Sequence, residues 1–340
     1  MIRAFILAGE PIRLRPLVLA VLATLFGAGC NTDNAAAPAD GATQVDPSDM
    51  VPASVTYTGI PYGPVGLWIM NKLSYGPAPF TASQNYINAD TLILQINAAR
   101  TKGQRLMLAM TGGPSTRYTT SGQFDMTKWK NAMNTYNKSA LKTAVAAAVS
   151  DGTIIGNQMI DEPETKRWGT TLTKAKLDQM AVYVKTIFPT LPVGLNHGPP
   201  GYKWRASERF TKVDYVLYQY NHYYTSGNIV AWRDAVLAQA KLDGVTPALS
   251  LNILNGGAQD RDGTYDCTGP GQGGLGTRYP NCTMTADQVR TWGKALAPYA
   301  CFMMMWQYDG TYMSEAGNQD AFREIASLVA SQPRRSCARP

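Results

Sequence analysis

The stretch GTIIGNQMIDEPETKRW, Gly152–Trp168, contains an apolar run that stops at three carboxylates and a proline. Its apolar part, Thr153–Ile160, has the length and composition of a strand buried on both faces, as in a parallel sheet. An Ala-rich helical pattern, Thr127–Gly152, precedes it, and an amphipathic helical pattern, Leu177–Phe188, follows. The region therefore predicts one helix–strand–helix step of an α/β fold.

The same alternation recurs along most of the chain. Seven segments read as convincing strands: Val65–Met70, Arg105–Gly113, Thr153–Ile160, Pro192–Gly198, Val213–Asn221, Pro247–Gly257 and Cys301–Asp309. The segment Ser54–Ile60 is either an eighth strand or a rim ribbon. Seven or eight repeats predict a single TIM-like (β/α)8 barrel over residues 55–340, irregular if only the seven clear strands form. An open doubly wound sheet fits less well, because Met110–Tyr118 lacks the G-x-G-x-x-G spacing.

The N-terminus has the pattern of an export signal. Arg3, Arg13 and Arg15 lead into an apolar run and small residues before Cys30, which predicts a signal peptide over residues 1–29. The sequence LFGAGC resembles the bacterial lipobox, which implies lipidation of Cys30. Ordinary signal-peptidase cleavage near Ala28 is the alternative.

Residues 30–54 follow as the lipidated cysteine and a tether. The segment is rich in Ala, Asp, Pro and Thr and has almost no large apolar side chain, which predicts flexibility. We therefore expect an exported protein, either a lipoprotein anchored to a membrane of the cell envelope or a secreted protein.

Composition argues against several partners. The formal net charge is +7, but no run of Lys and Arg with interleaved aromatics indicates nucleic-acid binding. The chain has only two histidines, and its cysteine spacing fits no standard zinc pattern. We expect a monomer without a metal or another cofactor.

Five cysteines are compatible with an oxidising compartment. If Cys30 is lipidated, four remain, and an even number in an exported protein favours two disulfides. We predict one bond between Cys267 and Cys282, closing a Gly-rich loop, and one between Cys301 and Cys337, tying the C-terminal tail to a strand.

Polar and aromatic residues gather where the predicted strands end, which is where barrel enzymes carry their active sites. Aromatic rings stack on the apolar faces of sugars, and amides and carboxylates bond to hydroxyls. A polysaccharide or oligosaccharide is therefore the expected partner. Tyr218 and Tyr220 share one face of their strand and Gln219 takes the other, so either set can line the barrel. The substrate-binding candidates are Trp68, Arg117, Asn196, His197, Tyr218, Tyr220, His222, Asn252 and Trp306.

Two short motifs carry a resemblance to a family. The sequence IDEPE resembles the strand-end N-E-P motif of retaining glycoside hydrolases with a barrel fold, with Asp161 in the Asn position. The resemblance implies that Glu162 is the acid/base and that Asp161 contacts the sugar 2-hydroxyl. The final strand, MMMWQYDGTY, is similar to the strand of those hydrolases whose Trp forms the floor of the sugar subsite. The corresponding residue here is Trp306. Two carboxylates can protonate a glycosidic oxygen and either attack the sugar or activate water.

The chain departs from this pattern at the nucleophile. Those hydrolases place a Glu at the end of the penultimate strand, where this chain has Asn252 and Asn255. Asp309 on the last strand is the first substitute, with Asp260 or Asp262 second. Otherwise the enzyme inverts through a water molecule, or the site is not hydrolytic, as in a glycan-binding lipoprotein or a lyase.

Overall fold

Eight strands form the centre of the protein. The computed structural model describes residues 57–66, 79–169, 172–197, 209–225, 228–257 and 282–340. The strands are β1 (Tyr62–Pro64), β2 (Ala82–Asn85), β3 (Arg105–Leu108), β4 (Ile154–Asp161), β5 (Val193–His197), β6 (Tyr215–Tyr220), β7 (Thr246–Asn252) and β8 (Met303–Trp306).

The strands close into a (β/α)8 barrel, as predicted. All pairings are parallel and follow the order β1-β8-β7-β6-β5-β4-β3-β2. The ring closes between β1 and β2, where Val65 bridges to Gln84 and Gly66 N donates to Gln84 O at 2.9 Å.

The start of the barrel differs from the prediction. The described part of Ser54–Ile60 is not a strand, and β1 begins at Tyr62. The sequence of β2 is ASQN. It contains no apolar run, and its Gln84 and Asn85 side chains line a cavity at the C-terminal ends of the strands.

Helices cover the barrel. They are α1 (Leu92–Thr101), α2 (Met126–Asn134), α3 (Ser139–Ser150), α4 (Lys174–Ile187), α5 (His222–Thr225), α6 (Ile229–Asp243), α7 (Ala286–Leu296), α8 (Gly310–Ser314) and α9 (Ala316–Ala330). A capping box opens α7, with the Thr285 and Gln288 side chains each accepting from the other's backbone N–H. Within the described ranges, no helix has both the length and the apolarity needed to cross a bilayer.

The lower barrel interior is filled by side chains. Tyr215 lies across the barrel and donates to the sulfur of Met107 at 2.9 Å. It occupies space left by two glycines, since a Cβ on Gly194 would lie 2.5 Å from its ring and one on Gly156 would lie 2.9 Å from it. The barrel interior is therefore packed with side chains near the N-terminal ends of the strands.

The C-terminal tail lies against the opposite end of the barrel. The predicted Cys301–Cys337 disulfide is present, with 5.2 Å between the Cα atoms, and both cysteines are buried. Arg339 donates to Phe210 O at 2.7 Å, and Thr246 Oγ1 donates to Ala338 O at 2.7 Å. The tail is thus fixed to the segments that lead into β6 and β7.

Candidate functional site

A cavity of about 220 Å³ opens at the C-terminal ends of the strands. Polar and aromatic side chains dominate its wall. They include Gln84, Asn85, Tyr86, Thr111, Gln158, Asp161, Arg167, Trp168, Asn196 and Trp306. Of the predicted site residues, Asp161, Asn196 and Trp306 are therefore brought together here.

Asp161 reaches the cavity because β4 is irregular at its end. The register between β4 and β5 shifts between Gln158 and Asp161, and such a bulge re-aims the residues that follow it. The Asp161 carboxylate accepts from Asn196 Nδ2 at 2.6 Å and from Gln158 Nε2 at 3.4 Å. Gln158 in turn accepts from Gln84. A chain of amides thus holds Asp161 in one orientation.

Two buried amide oxygens at this site lack a hydrogen-bond donor among the described residues. Gln84 Oε1 and Asn196 Oδ1 have no hydrogen-bond partner within the described part of the chain, and both residues are about 5% exposed. Buried polar atoms are normally satisfied, and leaving one bare costs about 1–3 kcal/mol. Both residues line the cavity, so its wall contains two acceptors whose donors are missing among the described residues.

Arg167 joins the two adjacent acids. Its Nη1 lies 3.1 Å from Asp161 Oδ2, and its Nη2 pairs with Glu162 Oε2. The Glu162 carboxylate is therefore a hydrogen-bond acceptor in this arrangement, and it is not among the residues that line the cavity. Arg167 was not among the predicted site residues, although its place five residues after Glu162 in the same turn-rich segment was a usable signal.

The backbone at Glu162 is unusual. Its φ is +42°, in the left-handed region that non-glycine residues seldom adopt. Several bonds hold it there: Glu162 N donates to Asn196 O at 2.9 Å, and Glu162 O accepts from Thr165 N and Trp168 Nε1, each at 3.1 Å. Strain of this kind persists where surrounding contacts fix it and is common at functional sites.

Aromatic rings border the cavity on two sides. Trp306 ends β8 and is half-buried, and its peptide bond to Gln307 is cis. Trp168 is buried and packs edge-on against Phe124, with ring centroids 5.9 Å apart. Tyr86 lies at the rim. The cavity therefore offers both ring surfaces and hydrogen-bond acceptors.

Four predicted substrate-binding residues lie elsewhere, behind the strands. Tyr218 and Tyr220 belong to the core between strands and helices, whereas Leu217 belongs to the barrel interior. Alternation therefore turns Gln219 inward. Tyr220 packs on Trp232 and Trp292 at 5.1 and 5.2 Å between ring centroids. The expectation that these tyrosines line the cavity is corrected by their packing against the helices.

The two histidines share this outer location. His197 Nδ1 lies 3.6 Å from Glu164 Oε1, and its ring is 5.9 Å from that of Tyr218. His222 stacks on Trp292 at 4.9 Å and bonds to the Tyr220 hydroxyl at 2.7 Å. Burial lowers the pKa of His222. Both histidines therefore take part in packing outside the cavity.

The predicted partner acid has another role. Asp309 caps α8, where its Oδ1 accepts from Tyr312 N at 2.9 Å, and it is not among the cavity-lining residues. Asn252 accepts from Asn255 N at 3.1 Å and closes a turn. Neither residue is among those that line the cavity, and the catalytic role of Asp309 and the substrate-binding role of Asn252 remain predictions.

Some candidates fall outside the described residues. They are Trp68, Asp260, Asp262, Cys30 and Cys267. Cys282 is in a disulfide, and its predicted partner is Cys267. Across the described ranges, no three His, Cys, Asp or Glu side chains lie close enough together to hold a metal ion.

Comparisons with known proteins give similarity in fold only. Neither a protein-family model nor a curated protein sequence matches the chain. Similar solved structures include glycoside hydrolases. An endo-1,4-beta-mannanase from Eisenia fetida is 10% identical, with a TM-score of 0.44 over 76% of this chain and 82% of that one. A GH10 xylanase with a bacterial Ig-like domain, from termite gut, is 9% identical, with a TM-score of 0.47 over 80% and 76%.

Other barrel chemistry occurs among the similar structures as well. A D-psicose 3-epimerase crystallised with D-fructose is 11% identical, with a TM-score of 0.43 over 80% of this chain and 99% of that one. Similarity at these levels assigns no activity to this chain.

Proposed function

We propose that this protein is an exported carbohydrate-active barrel that holds one sugar unit in the strand-end cavity, against Asp161 and Trp306. The observation that carries the proposal is the acceptor-rich wall formed by the Asp161 carboxylate and the two buried amide oxygens of Gln84 and Asn196. Sugar hydroxyls supply the matching donors, and the indole of Trp306 supplies an apolar surface for the ring.

Hydrolysis of a glycosidic bond is the activity proposed for this site. Glu162 follows Asp161 directly and is held with a positive φ by hydrogen bonds to three neighbouring residues. It would act as acid/base at the edge of the sugar site, as the motif resemblance implies. Arg167 must part from Glu162 before this carboxyl group can donate a proton. Substrate entry at the rim is the step that we expect to displace it.

Glycan binding without catalysis is the second candidate, and one observation favours it. Of the described residues that line the cavity, only Asp161 carries a carboxylate. Glycoside hydrolysis usually needs two acids on opposite sides of the bond. The two candidates share the same sugar site and differ in whether products are released.

Substitution of Asp161 tests the shared sugar site. Asp161→Asn keeps the side-chain size and removes the charge. Because hydrogen bonds to charged groups contribute about 1.5–3 kcal/mol, we expect sugar affinity to fall about ten- to hundredfold. Calorimetric titration with the best-binding methyl glycoside measures this change.

A matched control is Asp287→Asn, which alters a carboxylate that is 90% exposed on α7. Equal sugar affinity in Asp161→Asn and Asp287→Asn would remove Asp161 from the site. Release of reducing ends by the unmodified protein would separate the hydrolase from the binding protein.

The lipid anchor is proposed from the sequence of the N-terminus. Expressed with its leader in a bacterium, the protein is expected to incorporate labelled palmitate and to sediment with membranes. Cys30→Ser is expected to abolish both, because the cysteine sulfur is the atom to which the diacylglyceryl group, with its labelled acyl chains, is attached. Label that persists in Cys30→Ser would contradict lipidation at this residue.

A further inference from the structure

Arg117 is a cation at the edge of the cavity. Within the described part of the chain, all its contacts are to neutral groups. Its Nη1 donates to the Tyr86 hydroxyl at 3.3 Å and to Gly112 O at 3.4 Å. Its guanidinium lies 5.5 Å from the ring centre of Tyr86 and 5.7 Å from that of Tyr118. The hydrogen bond to Tyr86 raises the pKa of Arg117. The charge is permanent and held in place.

The guanidinium contacts residues of the cavity wall, although Arg117 is not itself among the cavity-lining residues. Tyr86, Gly112 and Gly113 all line the cavity. A Cβ on Gly113 would lie 3.1 Å from Arg117 Nη1, so the glycine leaves room for the arginine to lie over the loop. Arg117 is exposed and can meet a ligand that extends past the rim.

The other arginine of this site is in a different state. Arg167 forms ion pairs with both Asp161 and Glu162. Those three side chains together carry a formal net charge of −1. Arg117 carries +1 at a separate place on the rim. The edge of the cavity therefore has a negatively charged side, at Asp161 and Glu162, that suits hydroxyl donors. It also has a positively charged side, at Arg117, which pairs with no anion among the described residues.

We propose that the saccharide bound in the cavity carries a carboxylate, as a uronic acid does, and that Arg117 binds that carboxylate. This inference rests on the proposed sugar site and names the class of sugar. A guanidinium presents a planar fork of N–H donors that matches a carboxylate. Without the predicted leader, which contains three Arg and one Glu, the formal net charge is +5, which also favours encounter with an acidic polysaccharide.

Matched pairs of small sugars test this assignment on the full mature chain. The probes are methyl glycosides of gluco, galacto and manno configuration, each compared with the uronate that differs only by oxidation at C6. At low salt, at least one uronate is expected to bind about tenfold more tightly than its neutral partner. Half-molar NaCl is expected to reduce this ratio.

Arg117→Gln is expected to bring the affinity ratio within that pair to about one. The control Arg323→Gln removes an equal charge from an exposed site on α9, where Arg323 pairs with Asp320, and is expected to keep the tenfold ratio. Unfolding temperatures of both variants verify that the fold is intact.

The outcomes separate this inference from the proposed function. Equal affinity within every pair, or a uronate preference that survives in Arg117→Gln, would overturn the acidic-sugar assignment and leave the sugar site standing. If none of the six glycosides binds, both proposals are overturned.

Discussion

Exchanging Glu162 for glutamine is expected to lower turnover of a cleaved glycoside by about 10²–10⁴-fold, the range that general acid–base groups contribute. Glutamine keeps the size of the side chain and its acceptor oxygen, but it has no carboxyl proton to deliver. Sugar affinity is expected to change little, since Asp161 and the buried amides of Gln84 and Asn196 form the proposed sugar site. The loss should therefore fall on kcat.

The measurement is steady-state release of aryl groups from a panel of aryl glycosides and uronides. Glu324→Gln is the matched control, because Glu324 pairs with Arg290 and Lys294 on the outer helices. Unchanged kcat in Glu162→Gln would take Glu162 out of the reaction. A large rise in KM with constant kcat would instead make it a binding residue.

Removal of the Cys301–Cys337 disulfide is expected to have a comparably large effect on stability. The bond joins residues 36 apart in sequence, and constraining a loop of that size in the unfolded chain contributes about 4 kcal/mol. Replacing both cysteines by alanine should lower the unfolding temperature by roughly 5–10 °C in a domain of this size.

Chemical denaturation at neutral pH measures this effect. The single variant Cys337→Ala is the control, since it removes the crosslink but keeps the Cys301 side chain in the barrel interior, where it is fully buried. Similar losses in the single and double variants would assign the effect to the crosslink. An unfolding free energy within about 1 kcal/mol of the unmodified protein would contradict the disulfide's structural role.

The barrel was predictable from the sequence because strands such as β4 and β8 are mostly apolar segments between helical patterns. Asp161, Asn196 and Trp306 were predictable because they end such strands. The polar strand β2 was not, since ASQN contains no apolar run. Its Gln84 forms part of the cavity wall all the same.

The direction of each side chain was the harder question. Alternation placed Tyr218 and Tyr220 on one face of β6, but only packing against Trp232 and Trp292 shows that this face meets the helices. In β4 the bulge between Gln158 and Asp161 breaks the alternation. Both residues therefore reach the same network, although a regular strand would place them on opposite faces.

The role of a carboxylate also depends on neighbours that the sequence does not identify. Asp309 lies three residues after the end of β8, close to where an opposing acid is expected, but its oxygen caps α8. Glu162 directly follows the end of β4, and Arg167 pairs with it. Local hydrogen bonds thus decide which acids are available to a ligand.

The central claim is that one sugar ring sits in the strand-end cavity against Asp161. A crystal structure with the best-binding glycoside or uronide tests it most directly. We expect the sugar ring to lie on the indole of Trp306, with its hydroxyls within hydrogen-bond distance of Asp161 and of the Gln84 or Asn196 amide oxygens. A sugar found only outside this cavity, with Asp161 still bonded to its present neighbours alone, would contradict it.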